Sequence, residues 1–429
     1  MIVLHSQSGA APTLWRSLFT AFPYYSWVIK NGTLFLGVLY TFNIIYLIKM
    51  LQQTRDQFIQ LFHNTPVLVS SPGRINLIGE HTDYNDGFVL PAAIDKRIIY
   101  AVALNGTNKC NAYAAFNKEQ VSFDLDAVKP TPGWINYLLG VVDQLQKRGY
   151  KVPGFDCVIA GDVPVGAGLS SSAAVEGGLV AALDHLMGYA LSRMDMALIG
   201  QKAEHTFPGV QCGIMDQFAN LHGKKDQVML LDCRDLTYTY YPFNFPNQKI
   251  VLCNSMVHHS LASSEYNVRR QQCEAGVKIL QAAYPQVQSL RDASMEMLEA
   301  VKDKLDNIVY KRCAYVIAEI ARVQQACDYL QQGNLQEFGK LMYATHDGLS
   351  RLYEVSCPEL DYLVELAKQR PEVAGARVMG GGFGGCTINL VQEDQVAAYT
   401  TYIRDRYQQK FGKVPEIYVT SIEEGVQVQ

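Results

Sequence analysis

Apolar residues recur in two kinds of pattern through the first half of the chain. Short continuous apolar runs predict strands at residues 67–69, 98–102, 155–159 and 228–231. Longer segments with apolar residues three and four positions apart predict helices at residues 134–146, 173–186 and 194–205. This mixture of strands and helices predicts an α+β unit.

A second unit is predicted after Pro246. The apolar run at residues 250–253 predicts its first strand, and helical spacing predicts helices at residues 265–283, 295–305 and 309–332. Residues 377–391 predict two strands joined by a glycine-dense turn, and a closing strand is expected near residues 417–419. We therefore expect two domains, residues 50–245 and residues 246–429.

The first 49 residues differ from the rest of the chain. No Asp or Glu precedes Asp56, aromatic residues crowd the segment, and residues 33–48 are almost uncharged. A membrane anchor is one interpretation, although this stretch is shorter than the ~20 apolar residues that a spanning helix needs. Helical spacing at residues 51–62 predicts that the folded unit begins near Met50. We favour an upstream extension from a misassigned start for residues 1–49.

Composition excludes several classes of protein. With 429 residues, of which 48% are hydrophobic and 18% charged, the chain can build the cores of two domains. A formal net charge of −4 leaves no basic footprint for a nucleic acid partner. The ten cysteines are scattered singly without zinc-site spacing, so they predict buried thiols of a reducing, cytoplasmic compartment. A monomer is favoured.

The first motif is residues 73–84, Gly-Arg-Ile-Asn-Leu-Ile-Gly-Glu-His-Thr-Asp-Tyr. It concentrates donors and acceptors that complement the hydroxyl groups of a sugar, each of which both donates and accepts. The apolar run at residues 88–94 indicates that these groups lie in a turn braced by core. A charged surface turn with an Arg–Glu pair is the alternative.

The second motif is residues 164–174, Pro-Val-Gly-Ala-Gly-Leu-Ser-Ser-Ser-Ala-Ala, between a predicted strand and a predicted helix. Glycines allow close approach of backbone, and N–H groups at a helix start attract phosphate. Serine hydroxyls add donors, and one could ligate Mg²⁺. No Lys is present, so the Walker pattern is absent. A loop with a serine N-cap is the alternative. The candidate nucleotide-binding residues here are Gly166, Gly168, Ser170, Ser171 and Ser172.

The third motif is residues 380–385, with five glycines in six positions. A local hairpin does not require this density, whereas close approach of backbone to a ligand does. A plain flexible turn is the alternative.

Together, in this order, the three motifs resemble those of galactokinases, a branch of the GHMP family of small-molecule kinases. Residues 203–207, 212–218, 260–266 and 353–360 resemble galactokinase segments as well, and the resemblance runs from about Met50 to the C-terminus. It implies a two-domain GHMP-kinase fold with the active site in the cleft between the domains. It also implies ATP-dependent phosphorylation of α-D-galactose at the C1 hydroxyl with Mg²⁺, giving galactose 1-phosphate and ADP, the first committed step of galactose catabolism.

The resemblance also implies catalytic roles for two residues. Asp216 is similar to the family's catalytic aspartate, which would accept or orient the proton of the attacking hydroxyl. Arg74 is similar to the arginine beside it, where a guanidinium favours the carboxylate form. From the residues alone, Asp216 is more typical of a helix cap or surface acid, and Arg74 of a structural ion pair.

Further roles follow from the same resemblance. It implies that galactose contacts Glu80, His81, Asp83, Gly213 and Tyr266. It implies that Ser172 and Glu204 hold Mg²⁺, and that Trp134 lies near the adenine. Glu204 as a helix-surface acid and Trp134 as a helix residue packed on Tyr137 are the alternatives. His205 is expected to be structural.

Two positions depart from the family pattern: Met379 stands where Thr is frequent, and Ala344 where an acid is common. Two other functions remain open. One is a related kinase acting on N-acetylgalactosamine or another small alcohol, although Thr82 and Asn85-Asp86 resemble the galactose branch. The other is a non-catalytic galactose sensor, disfavoured because the serine segment and Asp216 are both present.

Overall fold

The computed structural model of the chain describes residues 27–30, 33–36, 38–257 and 262–429. This part opens with a hairpin of β1 (Trp27–Lys30) and β2 (Thr33–Leu36), followed by helix α1 (Val38–Phe62). The predicted helix at residues 51–62 is confirmed, but it begins at Val38, since no Gly or Pro interrupts residues 38–50 and an established helix propagates. Predictions for residues 1–26 lie outside the described residues. Among the described helices, none is long and apolar enough to cross a membrane.

A six-stranded sheet forms the centre of the N-terminal half. Its strand order is β15-β3-β5-β8-β6-β7, and every neighbouring pair is antiparallel except β6 and β8. In the central strand, Tyr100 pairs with Val69 on one side and Ile159 on the other. The strands are β3 (Val67–Asn76), β5 (Pro91–Leu104), β6 (Lys109–Ala114), β7 (Glu119–Asp124), β8 (Phe155–Gly161) and β15 (Gln427–Val428).

Helices cover both faces of this sheet. On one face Phe58 of α1 packs against Ala101 and Val158. Four helices pack on the other face with a shared apolar core, as the hydrophobic spacing of their sequences requires. They are α2 (Ile135–Lys147), α3 (Ser171–Met187), α4 (Arg193–Thr206) and α5 (Met215–His222).

The second half is built on a four-stranded antiparallel sheet of order β12-β13-β11-β14. These strands are β11 (Gln248–Asn254), β12 (Val373–Val378), β13 (Cys386–Gln392) and β14 (Glu416–Thr420). A smaller sheet joins β4 (Phe88–Val89), β9 (Gln227–Asp232) and β10 (Tyr238–Pro242). The helices are α6 (Ala262–Ala283), α7 (Met295–Ala300), α8 (Asn307–Gln331), α9 (Leu335–Arg351), α10 (Pro358–Lys368) and α11 (Val396–Phe411).

The structure corrects two local predictions. The predicted helix at residues 295–305 ends at Ala300, and a 3₁₀ turn follows at Lys302–Lys304. The chain must then extend, because Asp306 caps α8 by accepting a hydrogen bond from the Ile308 N–H at 2.8 Å. The first motif is also only partly a turn, since its residues 73–76 complete strand β3.

The end of the chain returns to the first sheet. Strand β15 pairs with β3, with Gln427 opposite Ser70 and Val428 opposite Val69. Arg97 holds this return through hydrogen bonds to the carbonyl oxygens of Glu424 and Gly425. The division into two domains at residue 246 stays a prediction. Strand β15, at the end of the second predicted domain, belongs to the sheet of the first.

Candidate functional site

Arg74 and Asp216 form a bidentate ion pair at the edge of the first sheet. Arg74 lies near the end of β3, and Asp216 in the first turn of α5. The guanidinium Nε lies 2.8 Å from Asp216 Oδ1 and Nη2 lies 2.9 Å from Oδ2. The Arg74 side chain is 5% exposed and the Asp216 side chain 25%, so the carboxylate faces open space while its partner is buried. This geometry holds the carboxylate in one orientation.

The second motif, residues 164–174, which we call the serine loop, contacts the same carboxylate. Ser170, which precedes α3, donates its hydroxyl to Asp216 Oδ2. Its backbone has φ 54 and ψ 54, a left-handed conformation that non-glycine residues seldom adopt and that clusters at functional sites. The Gly168 carbonyl accepts from Arg74 Nη1 at 2.5 Å. The predicted phosphate loop and the predicted catalytic pair are therefore one connected unit.

Glu80 is held by the second half of the protein. Its Oε1 accepts from the Gly380 N–H at 2.8 Å and from Arg377 Nη2 at 3.1 Å. Arg377 is fully buried and also donates to the carbonyl oxygens of Leu77 and Asn76. The glycine turn, residues 380–385, is thus fastened through backbone and side chain to residues 77–84 of the first motif, which we call the sugar-motif loop.

His81 lies against aromatic rings and the glycine turn. Its backbone has φ 63, its Nδ1 lies 2.8 Å from the Tyr84 hydroxyl, and its Nε2 lies 3.2 Å from the Gly381 carbonyl oxygen. The ring centroids of Tyr353 and Tyr266 lie 4.8 and 5.2 Å from the imidazole. Burial, with Arg269 adding to it, lowers the pKa of His81 to about 3, so the imidazole is neutral at physiological pH.

Asp83 and Gly213 are in direct contact. A Cβ at residue 213 would lie 2.0 Å from Asp83 Oδ2, so only glycine leaves room for this carboxyl group. Burial and, after it, the charge of the nearby Asp216 raise the pKa of Asp83 to about 7. The carboxyl group can therefore carry a proton near neutral pH.

Ser172, at the start of α3, lies beside Glu204, which is near the end of α4. The Ser172 hydroxyl is hydrogen-bonded to Glu204, whose pKa is raised to about 7 by burial and by Asp216. A cation would relieve the repulsion between the Glu204 and Asp216 carboxylates. The Glu204 and Ser172 side chains both offer the oxygen ligands that Mg²⁺ prefers. No group of three or more His, Cys, Asp or Glu side chains in the described residues could hold a metal. Two oxygen ligands suit Mg²⁺, which takes its remaining ligands from substrate phosphates and water.

Gln217 supports Glu204 from behind. Its Nε2 donates to Glu204 Oε2 at 3.1 Å and to Glu176 Oε2 at 3.2 Å. Glu176 is fully buried, and burial followed by Glu204 raises its pKa well above the usual range. Sequence reasoning missed this support, although Gln217 directly follows Asp216 within residues 212–218, which resemble a galactokinase segment.

Two adjoining cavities collect most of the predicted site residues. One has a volume of about 420 Å³ and is lined by the catalytic pair, the serine loop and the sugar-motif residues, among them Arg74, Glu80, His81, Asp83, Tyr266 and Asp216. The other, of about 330 Å³, is lined by Gly166, Gly168 and the glycine turn, and both cavities share Glu204 and Tyr137. Gly213 is not among the lining residues of either cavity, but it contacts Asp83, which lines the first.

Trp134 is not among the lining residues of either cavity. Its indole N–H donates to Glu119 Oε2 at 2.8 Å, and its ring packs edge-on against Phe116. Tyr137, one turn further along α2, faces the cavities instead. The adenine role of Trp134 stays a prediction. His205 bonds the Cys212 carbonyl through Nε2, in keeping with the expected structural role.

The two departures from the family pattern lie in different places. Met379 is buried and lines the smaller cavity, with its carbonyl oxygen close to Gly168. Ala344 lies within α9 and lines neither cavity. Any effect of these departures therefore belongs on the glycine-turn side, through Met379.

Comparison with known proteins identifies the family. The galactokinase galactose-binding signature matches residues 56–104, the GHMP kinases N terminal domain matches residues 136–224, and the GHMP kinases C terminal domain matches residues 326–408. A galactokinase of Roseiflexus sp. (strain RS-1) is 40% identical over 376 residues, which span 87% of this chain and 96% of the relative. The chain belongs to the galactokinase family. It is a sugar kinase with the GHMP fold, as the sequence predicted.

Other relatives agree with this assignment. A galactokinase of Clostridium perfringens (strain SM101 / Type A) is 41% identical over 383 residues, covering 87% of this chain and 98% of the relative. The crystal structure of Lactococcus lactis galactokinase complexed with galactose superposes with a TM-score of 0.86 at 36% identity, covering 89% of this chain and all of that one. Methanococcus jannaschii mevalonate kinase, at 18% identity and a TM-score of 0.59, shares the fold alone.

Proposed function

We propose that this galactokinase-family chain transfers the terminal phosphoryl group of ATP to the C1 hydroxyl of α-D-galactose, with Mg²⁺, giving galactose 1-phosphate and ADP. One observation carries the proposal. The Arg74–Asp216 pair opens into the same cavity as Glu80, His81 and Asp83. A hydroxyl-binding set and a carboxylate able to orient a hydroxyl thus share one space beside a phosphate-type loop.

Asp216 is suited to orienting the attacking hydroxyl. Phosphoryl transfer has a loose transition state, so positioning matters more than early removal of the proton. The two bonds from Arg74 hold the Asp216 carboxylate aimed into the cavity. The Ser170 hydroxyl donates to the same carboxylate and links it to the loop that would bind phosphate.

The phosphates are proposed to lie along the serine loop and the start of α3. The helix N-terminus supplies N–H groups and a favourable dipole, and Gly166 and Gly168 allow close approach. Ser172 and Glu204 would hold Mg²⁺. With the cation bound there, charge on the phosphate oxygens is neutralised.

Sugar choice is proposed to come from buried polar groups. A site built to hydrogen-bond a hydroxyl leaves those groups unpaired when the hydroxyl is inverted or blocked, and such sites discriminate strongly. Glu80, His81 and Asp83 are all at least nine-tenths buried. Galactose should therefore be a much better substrate than glucose, its C4 epimer.

The test offers ATP, Mg²⁺ and a panel of hexoses to the purified protein, with product position assigned by NMR. Galactose, glucose and N-acetylgalactosamine are the informative members. Phosphorylation of galactose at C1, with far slower turnover of the other two, is expected. Comparable turnover of glucose contradicts the proposal, a preference for N-acetylgalactosamine favours the related kinase, and galactose binding without turnover favours a sensor.

We also propose a cytoplasmic location for the enzyme. All ten cysteines carry free thiols, which is typical of proteins kept in a reducing compartment. Titration of thiols in the denatured native protein without reductant should find all ten. Recovery of native disulfides would contradict this setting.

A further inference from the structure

A chain of hydrogen bonds leads from His81 into the core of the second half. The Tyr84 hydroxyl lies 2.8 Å from His81 Nδ1 and 2.7 Å from the Tyr353 hydroxyl. The Tyr353 hydroxyl lies 3.2 Å from the Cys273 sulfur. On the other side of the imidazole, Nε2 lies 3.2 Å from the Gly381 carbonyl oxygen. Both ring nitrogens are therefore engaged by the protein.

The Gly381 carbonyl oxygen sets the direction of donation along the whole series of hydrogen bonds. A carbonyl oxygen cannot donate, so the bond to Gly381 requires a proton on His81 Nε2. In a neutral imidazole Nδ1 is then an acceptor, and it must receive the hydroxyl proton of Tyr84.

The remaining links follow in turn. Having donated to His81, the Tyr84 oxygen accepts from the Tyr353 hydroxyl, and the Tyr353 oxygen accepts from the Cys273 thiol. The Asn85 side chain is hydrogen-bonded to the Cys273 sulfur and to the backbone carbonyl of His81. Asn85 therefore links Cys273, at one end of this series of hydrogen bonds, to the backbone of His81 at the other end.

We propose that Tyr84 and Tyr353 are positioning residues for the sugar, because they hold His81 as its Nε2–H tautomer and fix the orientation of its ring. With Nε2–H donating to the Gly381 carbonyl and Nδ1 accepting from Tyr84, neither ring nitrogen is free, so the imidazole gives the cavity wall a fixed shape and position. Tyr353 lies 269 positions from Tyr84 and belongs to the other half of the chain, so sugar recognition depends on how the two halves meet. This inference rests on the proposed function.

The first test reads the tautomer directly. Protein with ¹⁵N-labelled histidine is examined by NMR, and the His81 resonances are assigned as those lost in His81→Gln. A proton bonded to Nε2 and none on Nδ1 at neutral pH is expected. A proton on Nδ1, or on both nitrogens, would overturn the proposal, and this result does not depend on enzymatic activity.

The second test removes single hydroxyls. Tyr84→Phe leaves Nδ1 as a buried, unpaired acceptor, so the KM for galactose should rise about tenfold while kcat changes less than about threefold. Tyr353→Phe should have the smaller effect, about two- to threefold on KM, because Tyr84 can still donate. Tyr343→Phe is the matched control, since the Tyr343 hydroxyl is buried and has no hydrogen-bond partner in the described part of the chain.

The outcomes separate this inference from the proposed function. If the wild-type protein does not phosphorylate galactose, the proposed function is wrong. The NMR spectrum still decides which tautomer His81 adopts, because it does not depend on activity. If the wild type is active, a normal galactose KM in Tyr84→Phe overturns the positioning role. An effect of Tyr353→Phe larger than that of Tyr84→Phe overturns the direction of the chain.

Discussion

Arg377 and Glu80 form an ion pair at 3.1 Å in which the side chains are 0% and 2% exposed. Arg377 belongs to β12 in the second half, and Glu80 to the sugar-motif loop in the first. Arg377 also donates to the Leu77 carbonyl at 2.7 Å and to the Val378 carbonyl at 2.7 Å. This buried guanidinium therefore fixes the distance between the sugar-motif loop and the glycine turn.

Arg377→Met should destabilise the fold by about 3–5 kcal/mol, because it leaves the Glu80 carboxylate buried without its partner. Urea unfolding measures the loss. The control is Lys340→Met, which breaks the pair with Glu337 where the two side chains are 69% and 38% exposed. That change should cost less than about 1 kcal/mol. Equal losses in the two variants would contradict a structural role for the buried pair.

Asp216→Asn should lower kcat by roughly 10²- to 10⁴-fold, the usual contribution of a positioned acid–base group. Galactose binding should persist, since the amide keeps the shape of the carboxylate. Steady-state kinetics and calorimetry measure the two quantities. Near-normal turnover would remove Asp216 as the catalytic carboxylate.

Arg74→Lys should also be damaging although it keeps the positive charge. An ammonium cannot reproduce the parallel bonds to both Asp216 oxygens and the third bond to the Gly168 carbonyl. The double variant with Asp216→Asn should be little slower than the worse single variant, because residues that act as a unit are not lost twice. Strict multiplication of the two losses in kcat would show that they act separately.

Ser172→Ala should weaken the use of Mg·ATP and leave galactose affinity nearly unchanged. Ser172 lies at the start of α3, where its hydroxyl is hydrogen-bonded to Glu204. Kinetics at varied Mg²⁺ and calorimetry with galactose separate the two effects. Ser122→Ala is the control, because that serine lies on β7 in an exposed hydrogen bond to Asn111. A loss of galactose affinity with unchanged nucleotide kinetics would contradict this assignment.

Gly213→Ala should destabilise the protein and weaken galactose binding, because the new Cβ would lie 2.0 Å from Asp83 Oδ2. Thermal unfolding and calorimetry measure the two losses. Repeating the substitution in an Asp83→Ala background provides the control, since the shortened side chain removes the two shortest contacts, 2.0 Å to Oδ2 and 2.2 Å to Cγ, and leaves the contact of 2.7 Å to Cβ. The loss of stability should then shrink, while binding stays poor. An unchanged loss in that background would locate the clash elsewhere.

Asp83 should make the protein less stable as pH rises. Its folded-state pKa, raised to about 7 from 3.8 mainly by burial, means that the native state binds more protons than the unfolded state between these values. Stability therefore falls as pH rises through this window, and the loss is complete above the folded pKa. Asp83→Asn cannot ionise, so its melting temperature should fall less between about pH 5 and about pH 8.

Thermal unfolding of the wild type and of Asp83→Asn at both pH values provides the comparison. Asp303→Asn, at an exposed position, is the control and should leave the pH dependence as it is in the wild type. If Asp83→Asn shows the full wild-type pH dependence, Asp83 does not titrate in this window.

Local pattern determined much of this protein. The apolar periodicity predicted strands β3, β5, β8, β9 and β11 and helices α2, α3, α4, α6 and α8, because a buried face repeats every two residues in a strand and every three to four in a helix. The three motifs predicted the family through residues that are close together in the chain. Helices α5, α9, α10 and α11 were missed, and the helix expected at residues 295–305 was too long.

The tertiary structure decided what those residues contact. The bonds of Asp216 to Arg74 and of Arg377 to Glu80 join positions 142 and 297 residues apart. No local pattern encodes such pairs, because they arise where two sheets and their loops pack together. The direction of the chain through Tyr84 and Tyr353 has the same origin. The sequence determined which chemical groups are available, and packing determined which of them are buried, paired and aimed into the cavity.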